Sequence, residues 1–402
     1  MTSAVGPSNN QTAWKFTTGG QMWSSPAVVG GVVYAGAYDK EVYAINATSG
    51  KLIWNFTAGG RVNSSPAVAN GIVYIGSNDR NVYALNAADG SLLWNRTTEN
   101  QVQSSPTVSN GIVYVGSNDD NMYALNAATG NVVWTFKTGS DVISTPAVAN
   151  GVLYFGSYDR KVYALNALTG NEIWNFTAGN VIESSPAIAN GVLYIGAYDN
   201  KTYAINATTG TSIWTVNTGY DLCVQASPTV ANGLVYTGGS FDGNVYAYDA
   251  ANGDLVWKYN TTPTLPQTPG IEIATGVYSA PAVAGNVVYV NAFNTTFALD
   301  ATTGNPIWTF ETGATLYSSP AVANGKVYVT SYDHNIYAIG SPAPTTTATP
   351  SPSPTATTSP TAVPTSTPEP NQSTNYTIYI VAAVIIIVVI AVIAVVLSKR
   401  RK

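Results

Sequence analysis

The sequence predicts an all-β fold, an eight-bladed β-propeller with four-stranded blades, and three observations predict it. First, a unit with a period near 40 residues recurs eight times: its closing Trp falls at 14, 54, 94, 134, 174, 214, 257 and 308, and its opening Pro at 26, 66, 106, 146, 186, 228, 281 and 320. Second, three turn signals cut each copy into four short runs rich in Val, Ile and Tyr. Third, the middle runs are apolar at both parities, as in Ile72-Val73-Tyr74-Ile75, so their sheets must be covered on both faces. Four-stranded units that cover one another at this period describe a propeller. A solenoid with helices is excluded, because no copy contains an amphipathic helical stretch.

Residues 1–11 form an N-terminal tail, and the propeller runs over 12–340. Its first strand is an orphan closing strand, Thr12-Ala13-Trp14-Lys15-Phe16-Thr17, with no copy before it. The last copy ends at Tyr337-Ala338-Ile339 and lacks a closing strand. The N-terminal strand is therefore expected to complete the eighth blade and close the ring, which removes two exposed sheet faces. Within a copy the strands are expected in the order A-B-C-D, with A lining the channel and D, which carries the Trp, outermost. Asn70-Gly71 suits a type I′ A–B hairpin, because both central residues need positive φ. Asp79-Arg80-Asn81 marks the B–C turn and Ala88-Asp89-Gly90 the C–D turn.

At residue 341 the composition breaks. Residues 341–377 are rich in Pro, Thr, Ser and Ala, too poor in apolar groups to offset the entropy of ordering. They read as an extended stalk, open to O-glycosylation or left as a bare linker. Residues 378–397 are uncharged and nearly all Ile, Val and Ala, long enough at about 1.5 Å per residue to cross a bilayer as one transmembrane helix. The basic tail 398–402 then places the C-terminus inside and the propeller outside a cell membrane. Sequons at Asn46, Asn55, Asn95, Asn175, Asn206, Asn260, Asn371 and Asn375 agree with export, whereas the first residues lack the basic and apolar regions of a signal peptide. The layout is similar to that of archaeal surface proteins.

The repeat resembles that of the quinoprotein, or PQQ-like, propellers, whose docking motif is Ala-x-Asp-x-x-Thr-Gly-x-x-x-Trp. Here it reads Ala204-Ile205-Asn206-Ala207-Thr208-Thr209-Gly210-Thr211-Ser212-Ile213-Trp214, and again Ala298-Leu299-Asp300-Ala301-Thr302-Thr303-Gly304-Asn305-Pro306-Ile307-Trp308. Most copies carry Asn in place of the motif's Asp; Asp249 and Asp300 keep the acid. The resemblance implies that each Trp (14, 54, 94, 134, 174, 214, 257, 308) packs on the neighbouring blade. It also implies two kinds of function. Quinone-dependent dehydrogenases of this family hold pyrroloquinoline quinone (PQQ) and calcium, use a catalytic Asp, and often carry a disulfide between adjacent cysteines. This chain has one cysteine, Cys223, blades of nearly minimal length, and no position that matches a calcium or base motif. The other relatives are non-enzymatic: an outer-membrane assembly lipoprotein and lumenal sensors that bind proteins or peptides. The expectation is thus a non-catalytic surface scaffold without cofactor or metal, binding an extracellular protein or glycan. A PQQ-dependent dehydrogenase and a structural surface spacer are the alternatives.

Composition narrows the partners. Residues 1–340 carry 12 Lys and Arg against 20 Asp and Glu, a formal charge of −8. Nucleic-acid backbones need a basic stripe, so no nucleic acid is expected. One His and one Cys exclude a Cys/His zinc cluster.

Candidate site residues are those at which the copies differ. The residue before each Ser-Ser-Pro or its variant, at the D–A connection, reads Trp23, Asn63, Gln103, Ile143, Glu183, Gln225, Tyr278 and Tyr317. The B–C tips on the same face carry Tyr38, Asn78, Asn118, Tyr158, Tyr198, Phe241, Phe293 and Tyr332. An Asp follows seven of these tips, either as a turn former or as part of a carboxylate ring that attracts a cation. Two D–A connections are longer, with Trp spacings of 43 and 51, and insertions in repeats cluster on binding faces. The site is therefore expected between the fifth and seventh blades, on Tyr220, Asp221, Leu222, Asp242, Leu265, Ile271, Glu272, Ile273, Tyr278 and Phe293. These are an apolar and aromatic set with acids at its rim.

Overall fold

A computed structural model of the chain describes residues 6–219, 224–240, 242–262 and 276–342. The chain divides into two units, Met1–Thr345 and Thr346–Lys402. The first holds the propeller. The predicted span 378–397, the basic tail, and the stalk from residue 343 onward lie outside the described residues. Among the described residues no helix is long and apolar enough to cross a membrane.

Eight four-stranded antiparallel sheets are formed, one per repeat. Blade 1 shows the pattern: strand A is Ala27–Val29, B is Val32–Gly36, C is Glu41–Asn46 and D is Leu52–Thr57, paired in that order. Blades 2 to 7 cover 67–97, 107–137, 147–177, 187–217, 229–260 and 282–311. Blade 8 takes A, B and C from Ala321–Ala323, Lys326–Ser331 and Asn335–Ile339, and its D strand from Thr12–Thr17. The orphan strand closes the ring as expected, with Trp14 opposite Ala338 and Lys15 opposite Tyr337.

The turns form for the reasons read in the sequence. Asn70 and Gly71 both have positive φ, 51° and 75°. At the B–C tip, Arg80 takes φ 74°. Asp79 holds that tip: Oδ1 accepts from the Asn81 amide at 2.9 Å, and Oδ2 accepts from the Tyr83 hydroxyl and the Gly59 amide, each at 2.6 Å. Gly59 belongs to the D–A connection, so one carboxylate ties both loops of this face together. Burial raises the Asp79 pKa, but the bonds from Tyr83, Asn81 and Gly59 outweigh it and hold the carboxyl below its usual value. The bridge to the D–A connection recurs at Asp119, Asp159, Asp199 and Asp333, although at Asp199 the Oδ1 is buried with no hydrogen-bond partner. Turn formation thus accounts for the aspartate ring.

The core is divided among the blade interfaces. Between blades 4 and 5, for instance, Tyr154, Val162 and Trp174 pack on Leu193, Ile195 and Ile205. The docking motif explains these seams. The Trp174 indole donates to the Ala207 carbonyl at 3.0 Å, and the Tyr154 hydroxyl donates to the same oxygen at 3.0 Å. Gly210 sits over the Trp174 ring at φ 73°, where a Cβ would lie 2.7 Å from the indole. Trp14, Trp54, Trp94, Trp134, Trp214 and Trp257 repeat the bond, on Ala47, Ala87, Ala127, Ala167, Ala250 and Ala301. The seam between blades 7 and 8 differs. Trp308 packs in its apolar cluster, but blade 8 has no C–D turn to offer a carbonyl, and the buried Tyr289 hydroxyl has no hydrogen-bond partner.

Candidate functional site

The Ser-Ser-Pro that opens five copies, with its variants Ser144-Thr145-Pro146, Ala226-Ser227-Pro228 and Ser279-Ala280-Pro281 in the others, builds the channel. The first Ser is buried and accepts from the backbone of strand B, as Ser64 Oγ does from the Gly76 amide at 3.1 Å. The second Ser faces the channel and links neighbours: the amides of Ser25, Ser65, Thr145, Ser185, Ala280 and Ser319 each donate to the Ser hydroxyl of the next blade at 2.8–2.9 Å. The Pro starts strand A. This hydroxyl ring is a feature that the sequence reading did not single out, although the second position of the motif is Ser in six copies and Thr in a seventh, visibly enough to have marked it.

Above the ring opens a cavity of about 210 Å³ lined by all eight blades. Its lining is the variable position before Ser-Ser-Pro in every copy, Trp23 to Tyr317, together with Ser or Thr from the ring. One half is aromatic. Trp23 of blade 1 is 41% exposed and stacks on Tyr317 of blade 8 at 4.8 Å with planes 16° apart. Tyr278 of blade 7 lies 5.6 Å from Tyr317. Tyr332 lies 4.8 Å from Tyr317 and bonds the Tyr38 hydroxyl at 3.2 Å, and the Arg61 guanidinium sits 4.9 Å over the Tyr38 ring. The opposite half is polar apart from Ile143. Glu183 of blade 5 accepts on Oε2 from the Tyr158 hydroxyl at 2.8 Å, from the Tyr198 hydroxyl, and from the Gln225 amide at 3.3 Å. Burial and the Glu183 charge push the Tyr158 and Tyr198 hydroxyls well above the usual phenol value. Among the described residues Glu183 is the one charged residue of the lining, and none of them is Lys or Arg.

The predicted sector is placed in part. Tyr278 lines the cavity. Asp242 is a hairpin bolt: it accepts from the Asn244 amide at 2.9 Å and from the Tyr246 hydroxyl. Phe293 occupies the blade 7 tip at φ 51°, and its carbonyl accepts from the Leu316 amide at 2.7 Å. Tyr220, Asp221, Leu222, Leu265, Ile271, Glu272 and Ile273 lie outside the described residues, as does Cys223. Among the described residues no group of three or more His, Cys, Asp or Glu is arranged to hold a metal ion.

The family model described as outer membrane protein assembly factor BamB matches residues 2–101, 41–145, 138–295 and 242–342. No curated protein matches the sequence. Among solved structures, BamB from Moraxella catarrhalis is similar at 19% identity and a TM-score of 0.67, over 82% of this chain and 97% of that one. The computationally designed Ika8 protein is similar at 18% identity and a TM-score of 0.68, over 81% and 98%. Quinohemoprotein alcohol dehydrogenase from Comamonas testosteroni is similar at 16% identity and a TM-score of 0.67, over 83% and 76%. These likenesses establish the fold; they carry no activity with them.

Proposed function

Because the chain belongs to the PQQ-like β-propeller family whose model is described as outer membrane protein assembly factor BamB, we propose that it is a non-catalytic interaction scaffold. It engages an extracellular protein or glycan through the face that carries the channel mouth and the two enlarged D–A connections. Residues 378–397 hold it in a cell membrane, with the propeller outside. The observation that carries this reading is the cavity lining. In a chain that otherwise repeats itself, eight blades bring eight D–A side chains of mixed chemistry to one opening. Repetition suffices for a ring, whereas a specific contact needs positions that differ.

The lining does not fit the family's quinone. Pyrroloquinoline quinone carries three carboxyl groups; among the described residues the cavity lining offers them no cation and one repelling carboxylate, and Arg61 lies at the rim over Tyr38. Calcium would need several oxygen ligands, and the Glu183 Oε2 already accepts from three neutral donors.

The test uses the full chain in detergent, with residues 261–274 replaced by a short Gly-Ser loop as the variant. Protein from the medium and arrayed glycans are offered to both forms, and thermal unfolding is followed in parallel. A partner held by the parent chain and lost by the variant, with an unchanged melting temperature, is the expected result. Equal retention by both forms would remove the enlarged sector from the site. Dye reduction with added quinone and calcium would overturn the non-catalytic reading.

A further inference from the structure

The channel mouth has a polarity that the binding reading does not use. In a ring of eight, blades four apart face each other, so Trp23 of blade 1 stands across the opening from Glu183 of blade 5. One wall is the π face of an indole that remains 41% exposed although it stacks on Tyr317. The other is a carboxylate fixed in place by two tyrosines and a glutamine, all of which reach Oε2 and none Oε1. Among the described residues the one ion pair is Lys137 with Asp120, so Glu183 has no cationic partner among them. Asn63, also in the lining, has an amide oxygen with no hydrogen-bond partner. An aromatic face and a carboxylate attract the same species, and both unmet acceptors call for a donor. The field agrees, because residues 1–340 carry a formal charge of −8. Arg61 over Tyr38 shows that this aromatic group accepts a guanidinium at its rim.

Size narrows the ligand. About 210 Å³ is below the roughly 300–1,000 Å³ of sites for drug-sized molecules. It suits one side chain or a small solute. We propose that the channel mouth is a receptor for a cationic group, a guanidinium or primary ammonium, which inserts between the Trp23 face and the Glu183 carboxylate. This deepens the scaffold reading and rests on it. The cation is either a small solute or a Lys or Arg side chain presented by a partner.

The test titrates the full chain in detergent with four probes, read by tryptophan fluorescence and calorimetry: agmatine, a blocked Gly-Arg-Gly peptide, glutarate and glucose. Saturable binding of agmatine or of the peptide, but not of glutarate or glucose, is expected. Tighter binding of the peptide assigns the cation to a protein partner; tighter binding of agmatine assigns it to a solute. Glu183→Gln keeps an acceptor oxygen for Tyr158 and Tyr198 while removing the charge, and should weaken cation binding by about tenfold or more at an unchanged melting temperature. Trp23→Leu should weaken it by roughly threefold or more. Glucose binding as tightly as agmatine, or cation binding indifferent to Glu183→Gln, overturns the proposal. So does the absence of binding by either cation to the parent chain. The loop-replacement experiment stands apart from these outcomes: a partner still captured and lost with the loop would leave the scaffold reading intact while the cation site fell.

Discussion

At the scale of the residue, the seams depend on one carbonyl accepting two donors. Ala167 takes the Tyr114 hydroxyl and the Trp134 indole, both at 3.0 Å. The tryptophans and their glycines were legible in the sequence because their spacing is regular. The tyrosines were not, since a Tyr in an apolar strand looks like packing alone, and nothing local says that its hydroxyl crosses to the next blade. Tyr289 is the exception that the geometry isolates. It is fully buried, and its hydroxyl has no partner. Removing a satisfied hydroxyl leaves the Ala carbonyl with one donor fewer, whereas removing an orphan ends a desolvation cost. Tyr114→Phe should therefore lose about 1 kcal/mol in urea unfolding, and Tyr289→Phe should be neutral or stabilising. Equal losses at both positions would mean that the seam between blades 7 and 8 is clamped like the others.

At the scale of the element, ring closure rests on Thr12–Thr17, which pairs with Asn335–Ile339. Its Trp14 supplies the indole for the seam with blade 1. Removing residues 1–18 would expose the edge of Asn335–Ile339 and strip Trp14 and Phe16 from the cluster that includes Val33, Ile45 and Tyr328. An exposed, flat apolar edge recruits other chains. The truncated propeller should aggregate in light scattering and melt well below the parent; a monomer with an unchanged melting temperature would refute this account. Closure was readable from the two mismatched ends of the repeat. The composition of the channel mouth was readable only as a column of eight differing residues. The insertions drew attention to the fifth through seventh blades because added length is visible in a sequence. The stacking of Trp23 on Tyr317 joins residues from opposite ends of the repeat array in sequence, and it emerges only when blade 8 is set beside blade 1.

At the scale of the whole molecule, tyrosine makes stability sensitive to alkali. Tyr83, Tyr236, Tyr248, Tyr289 and Tyr328 are pushed up to about 12, chiefly by burial. Each pKa is raised on folding, so the stability it contributes is complete below the unfolded value of 10.0 and is lost as pH rises through about 12. Urea midpoints should be flat as pH rises toward 10.0 and then fall, with tyrosinate absorbance and the loss of tertiary circular dichroism appearing together. Tyrosinate forming well before the tertiary signal falls would mean that these hydroxyls ionise within the folded ring.

The strand by which the chain leaves the ring has a mechanical consequence. Asn335–Ile339 is an inner strand of its sheet, with Lys326–Ser331 on one side and Thr12–Thr17 on the other. A pull directed along that strand would load both ladders in shear, so that their bonds give way together. An edge strand would peel, one bond after another. Tension along that line would thus meet the blade in its stiffest direction, and the N-terminal strand, far away in sequence, would serve as half of the clasp.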